Sequence, residues 1–160
     1  FFDTTTYQHE LAGYTIEVPV AYKIGSLENK DRMIFTVYDD QGKDVGLFDV
    51  TTTNYTHTEK VGEVKGFIEN ARKQETGAKI EIPLAGTLSV TKIQNINLDG
   101  CLGVEMFEKD VGLFAIGMEC YQDTSGGIYD ISMSMIGPEE DLDDRREEFR
   151  KIYETLTFEN

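Results

Sequence analysis

The stretch CLGVEMFEKDVGLFAIGMECYQDTSGGIYDISMSM, residues 101–135, decides the fold. Apolar and polar residues alternate through it with a period of two, and short loops of turn-forming residues break the alternation near Asp110-Val111 and Ser125-Gly126. This is the pattern of a three-stranded antiparallel meander. If Asp110 and Val111 form the first tight loop, Phe107 faces Phe114, Glu105 faces Ile116, Gly103 faces Met118 and Cys101 faces Cys120. A second tight loop at Ser125-Gly126 aligns Cys120, Met118 and Ile116 with Ile131, Met133 and Met135. Those residues make one apolar face, expected beneath a helix. The other face carries Leu102, Val104, Met106, Leu113, Ala115 and Tyr121 beside Asp130, Ser132 and Ser134, so it is apolar in one part and polar in another.

Two cysteines facing each other at the far end of a hairpin are within reach of a bond, since cross-strand Cβ atoms lie roughly 4.5 to 5.5 Å apart. Cys101 and Cys120 are therefore expected to be neighbours, either as a disulfide or as two small buried apolar side chains.

Beyond the meander the chain runs GPEEDLDDRREEFRKIYETLTF, residues 137–158. Gly137-Pro138 is expected to end the sheet. Glu139, Glu140, Asp141, Asp143 and Asp144 then fill the first turns of a helix whose later turns carry Arg150 and Lys151, the charge order that a helix dipole favours. Leu142, Phe149, Ile152, Tyr153 and Leu156 form its apolar stripe.

Towards the N-terminus, GYTIEV at 13–18 reads as a strand closed by Pro19. Met33–Tyr38 and Val45–Thr53 flank the turn-forming loop Asp39-Asp40-Gln41-Gly42-Lys43-Asp44, which reads as a hairpin. A period of 3.6 then places Val61, Val64, Phe67, Ile68 and Ala71 on one stripe, with a capping box at Thr56-His57-Thr58-Glu59, so a helix is expected over 58–75. Further strands are expected near 87–97, 100–108, 112–121 and 127–136. Since both sheet faces hold apolar residues and two amphipathic helices are available, the expected fold is α+β: an antiparallel sheet of six to seven strands with helices on both faces, three layers in one domain over 1–160.

The residues GYTIEVP at 13–19 followed by Tyr22, then a hairpin, a helix, a meander and the closing FRKIYETLTF at 149–158, resemble the PsbP-like fold. That group includes the extrinsic lumenal subunit of photosystem II, periplasmic proteins of the DcrB kind and a Ran-binding nuclear protein. Tyr22 stands where members commonly carry Trp. The resemblance implies roles in assembly and binding, and it carries no functional residue onto this chain.

With 160 residues and 39% hydrophobic content, the chain is long enough to bury roughly 70% of its unfolded surface. Its 30 acidic residues outnumber 15 basic ones, for a formal charge of -15. Nucleic acid is excluded as a partner by that balance, because phosphate neutralisation needs clustered Lys and Arg. No apolar run reaches the roughly 18 residues of a spanning helix. The start Phe1-Phe2-Asp3-Thr4-Thr5-Thr6 reads as a region left after a leader and tether, so an extracytoplasmic protein, secreted or a lipoprotein, is expected.

No catalytic or cofactor constellation stands out. His9 and His57 have no partners at metal-ligand spacing and read as exposed or capping residues, and the 39–44 loop lacks the alternating ligands of a calcium loop. No metal or other cofactor is expected. The functional expectation is a non-enzymatic domain working by contact with a neutral or basic protein, with Glu139, Glu140, Asp141, Asp143 and Asp144 as the contact region. The alternative is a small-molecule or cation-binding protein using the mixed face at Glu119, Asp130, Ser132 and Ser134.

Overall fold

The computed structural model describes residues 3–28, 31–55, 79–82, 86–89, 93–98, 101–108, 112–124 and 127–159. The helix expected over 58–75 lies outside them. The strands are β1 (Thr4–His9), β2 (Tyr14–Pro19), β3 (Lys23–Glu28), β4 (Arg32–Tyr38), β5 (Asp44–Tyr55), β6 (Lys79–Ile82), β7 (Gly86–Ser89), β8 (Ile93–Leu98), β9 (Cys101–Glu108), β10 (Leu113–Thr124), β11 (Gly127–Pro138) and β12 (Thr157–Phe158). A 3₁₀ turn, Glu139–Asp141, leads into the helix α1 (Leu142–Glu154).

The main sheet has seven antiparallel strands in the order β3-β4-β5-β11-β10-β9-β8. Its meander has the register that the alternation predicts: Phe107 faces Phe114 and Cys101 faces Cys120, while Ile116, Met118 and Cys120 face Met135, Met133 and Ile131. Register is well specified here because a slip by one residue would turn the whole apolar set away from the core. Phe114, Ile116, Met118, Ile131, Met133 and Met135 are accordingly almost fully buried, joined by Phe48 and Val50 of β5 and Met33 and Phe35 of β4.

The cover over this face is composite. α1 packs against β2, β10 and β11, with Phe149 meeting Phe48 edge-on at a ring separation of 6.2 Å. Beside it lies a three-stranded sheet, β1-β2-β12, which turns Tyr14, Ile16 and Val18 into the same core. The short β12 pairs Thr157 with Thr15 and Phe158 with Tyr14, so the segment after α1 is tied to the start of the chain. The described fold is thus α+β and strand-dominated. The expected three layers with helices on both faces are not what the described residues form: they hold one helix, on one face, sharing it with a small sheet.

β11 ends at Gly137-Pro138 as expected, the missing N–H of proline being tolerated at the last position of the strand, opposite Leu113. Other boundaries differ for local reasons. The segment expected as one strand over 87–97 divides into β7, paired with β6 in a separate ribbon, and β8 at the edge of the main sheet. α1 begins after the 3₁₀ turn, and no side chain caps it.

Cys101 and Cys120 form a disulfide with a Cα separation of 4.0 Å. Mass spectrometry without reduction should find the protein two hydrogens lighter than its reduced form. Reduction is expected to lower stability by about 2 to 5 kcal/mol in chemical denaturation. Free thiols in the oxidised preparation would contradict the pairing.

Candidate functional site

The β4–β5 connection is held by its own first residue. Asp39 Oδ1 accepts the backbone N–H groups of Gln41 and Lys43, each at 2.9 Å, and Gly42 supplies the positive φ of 76° that closes the turn. Those N–H groups, the Lys43 N–H foremost, hold the Asp39 carboxyl below the usual carboxylate range. The loop is therefore a plain turn, as its composition suggests.

Across from this turn stands the exposed side of α1. Between them lies a cleft of about 640 Å³, lined by Asp39, Asp40 and Gln41 from the turn and by Asp144, Arg145, Glu147, Glu148 and Lys151 from the helix. Five carboxylates face two cationic groups. Arg145 is only 4% exposed. Its Nη2 pairs with Glu148 Oε2 at 2.5 Å, and the Tyr22 hydroxyl donates to Glu148 Oε1 at 2.6 Å. Burial raises the Glu148 pKa, against the opposing pull of the Tyr22 hydroxyl and Arg145. Burial, together with the neighbouring Glu148 charge, also raises that of Tyr22. The Nε and Nη1 atoms of Arg145 are buried without a hydrogen-bond acceptor. At the rim, Arg150 bridges Glu147 and Glu154.

The acidic run expected as one contact region does not converge. Glu139 and Glu140 are exposed and line a separate hollow with Gly112 and Pro138, and Asp143 pairs with Arg146 at 2.8 Å on the surface. Asp141 is partly buried. Only Asp144 reaches the cleft. The 3₁₀ turn is the cause, since it displaces residues 139–141 from the face that the helix presents to the β4–β5 turn. The cleft residues missed by sequence reasoning are Asp39, Asp40, Arg145, Glu147 and Glu148. The helical spacing of Asp144, Glu148 and Lys151 was a usable signal, but nothing in sequence brings the distant turn against it.

The second expected site does assemble. Asp130, Ser132 and Ser134 of β11 share the face away from the main core with Glu119 of β10, and Asp49 of β5 joins them opposite Ser134. Ser134 donates a hydrogen bond to Asp49 Oδ1, and Thr51 donates to Asp49 Oδ2 at 3.4 Å. Burial nonetheless raises the Asp49 pKa. Asp130 is 5% exposed, and burial, reinforced by the Glu119 charge and a hydrogen bond between the two side chains, pushes its pKa up to about 8. The raised value favours the protonated form of Asp130 beside the Glu119 carboxylate. Asp130 Oδ1 has no hydrogen-bond partner.

This pair sets a pH dependence. The folded pKa of Asp130 lies above its ordinary value of 3.8, so the folded state holds a proton that the unfolded chain releases. The stabilisation is complete below about pH 4 and is lost as pH rises through about 8. Asp130→Asn should flatten this part of the stability profile measured by denaturation from pH 4 to 9. An unchanged slope would mean that the proton is not held there.

Among the described residues, no group of three or more His, Cys, Asp or Glu side chains is placed to hold a metal ion. His9 is buried rather than exposed: Nε2 lies 2.6 Å from Asp31 Oδ1, and Nδ1 accepts the Ala12 N–H at 3.1 Å. It caps the β1–β2 turn. His57 lies outside the described residues.

No protein-family model and no curated protein matches this sequence. Solved structures do resemble it in shape. The solution structure of cyanobacterial PsbP (CyanoP) from Synechocystis sp. PCC 6803 superposes with a TM-score of 0.52 at 11% identity, covering 99% of this chain and 94% of that one. A protein from Bacteroides thetaiotaomicron VPI-5482 gives a TM-score of 0.52 at 12% identity over 97% of this chain, which spans only 48% of that longer protein. At these identities the likeness is one of fold: the chain has a PsbP-like fold. Among the described residues no helix is long and apolar enough to cross a membrane.

Proposed function

We propose that this domain is a non-enzymatic contact module working outside the cytoplasm, secreted or held at a membrane by a lipid anchor, and that its acidic cleft receives a basic segment of a protein partner. The observation that carries the reading is the composition of the cleft: Asp39, Asp40, Asp144, Glu147 and Glu148 against Arg145 and Lys151, within a chain of formal charge -15. Such a surface speeds encounter with cationic groups and repels polyanions, and the effect fades as salt shortens the screening length to about 3 Å at 1 M. The disulfide between adjacent strands supports the compartment, because such bonds persist in oxidising environments.

Titration with an oligolysine peptide tests the reading, with oligoglutamate as control. Binding is expected at low salt for oligolysine alone and should weaken roughly three- to tenfold in the double variant Asp40→Asn, Asp144→Asn. Equal binding of the double variant, or tight binding of heparin, would overturn it. A second reading, a small-molecule or cation site on the Glu119, Asp130, Ser132 and Ser134 face, draws support from the unpartnered Asp130 Oδ1.

A further inference from the structure

Asp49, Glu119 and Asp130 all lie on the face of the main sheet turned away from the core, but they are not alike. Both oxygens of Asp49 accept a hydroxyl, from Ser134 and Thr51. Its partner Ser134 is four residues along β11 from Asp130, about 13 Å at the rise of a strand. Glu119 and Asp130 touch each other, and no Lys or Arg is among the charges acting on Asp130. Two carboxyls drawn out of water side by side need a positive charge between them, either a proton or a cation.

A shared proton joins only one oxygen of each carboxyl. Asp130 is 5% exposed, and its Oδ1 is buried without a hydrogen-bond partner. Buried polar atoms are nearly always satisfied, so an open acceptor beside a second carboxyl points to a donor that arrives from outside. The face is open to solvent at this level: Thr53, opposite Asp130 on β5, is exposed, and Glu119 and Ser132 are half-buried. Ser132 is the cross-strand partner of Glu119 and stands two residues from Asp130, so the three share one face at neighbouring positions. Three oxygen acceptors in a triangle match the three N–H donors of a primary ammonium. They match a divalent ion poorly, since such an ion takes six or more oxygen ligands and only two carboxylates meet here.

We propose that Glu119, Asp130 and Ser132 hold the primary ammonium group of a small amine, its three N–H bonds directed to Asp130 Oδ1, the Glu119 carboxylate and the Ser132 hydroxyl. The proton held at Asp130 leaves to solvent as the ammonium seats. Only a thin unbranched chain reaches so buried an oxygen, which favours a small molecule over a protein segment. The inference rests on the second reading above and is independent of the acidic cleft.

Amide chemical shifts of the isotope-labelled protein, followed with n-propylamine, tetramethylammonium and magnesium chloride in turn, test it. Propylammonium is expected to shift the amides of Thr53, Glu119, Asp130 and Ser132, whereas tetramethylammonium, which has the charge and no N–H, leaves them in place. Asp130→Asn keeps the shape and loses the charge, so it should weaken propylammonium binding at least about tenfold. The comparison of the two ammonium ions needs no variant and decides the matter even if Asp130→Asn unfolds. Equal shifts with tetramethylammonium would overturn the N–H recognition. Tighter binding of a peptide with one central Lys than of propylammonium would overturn the small-molecule assignment. Shifts at these amides with magnesium alone would overturn this inference and leave a cation site standing, and silence with all of these probes would overturn both.

Discussion

Gly46→Ala is expected to abolish folding, or to destabilise the protein by at least about 4 kcal/mol. Gly46 sits in β5 where the register against β4 shifts, with φ of 143°, a conformation that residues with a side chain rarely adopt. A Cβ there would lie 2.0 Å from the Ile136 carbonyl oxygen, which is backbone in the neighbouring strand and cannot turn aside. Gly137 makes the reciprocal approach, its Cβ position being 2.5 Å from the Val45 carbonyl oxygen. The two glycines let β5 and β11, the central strands of the main sheet, close at the end nearest the cleft. Gly42→Ala is the control: it also has a positive φ, but a Cβ there meets nothing within 4 Å, so its cost should stay near 1 kcal/mol. Circular dichroism and urea denaturation of the two variants test this. Equal stability would show that the sheet does not close at Gly46.

Phe149→Ala is expected to cost about 3 to 5 kcal/mol in the same denaturation experiment. Phe149 is 1% exposed and stands between Phe48 of the main sheet and Tyr153 of its own helix, with ring separations of 6.2 and 5.8 Å. Removing its ring opens a cavity under α1 and frees the helix that carries one wall of the cleft. A loss near zero would make α1 a detachable appendage, and the cleft with it.

What the sequence made legible follows from the range of the interactions involved. The meander was readable because alternation, two loops and one face requirement each fix the same register, and Cys101 and Cys120 confirm it at the far end. The helix stripe Phe149, Ile152 and Leu156 was readable for the same local reason, and all three are buried. β1 escaped notice because Thr4–His9 has little apolar alternation; it is held by pairing with β2. β12 is two residues long and exists only because β2 offers an edge.

The candidate sites divide along the same line. Glu119, Asp130, Ser132 and Ser134 are strand neighbours inside one hairpin, so period and register bring them together. Asp49 joins them through the pairing of β5 with β11, which no local pattern specifies. The cleft joins a turn at 39–41 to a helix at 144–151, a tertiary meeting invisible to periodicity. For the acidic run 139–144, charge alone suggested one surface, and the 3₁₀ turn dispersed it.

Contact through the acidic cleft can be located by mapping amide chemical shifts of the isotope-labelled protein during titration with oligolysine. The shifts are expected to gather at Asp39, Asp40 and Gln41 and along Asp144 to Lys151, and to vanish when salt approaches about 1 M. Shifts that gather instead at Glu139 and Glu140, or around the exposed Leu11 of the β1–β2 turn, while the cleft stays silent, would contradict it.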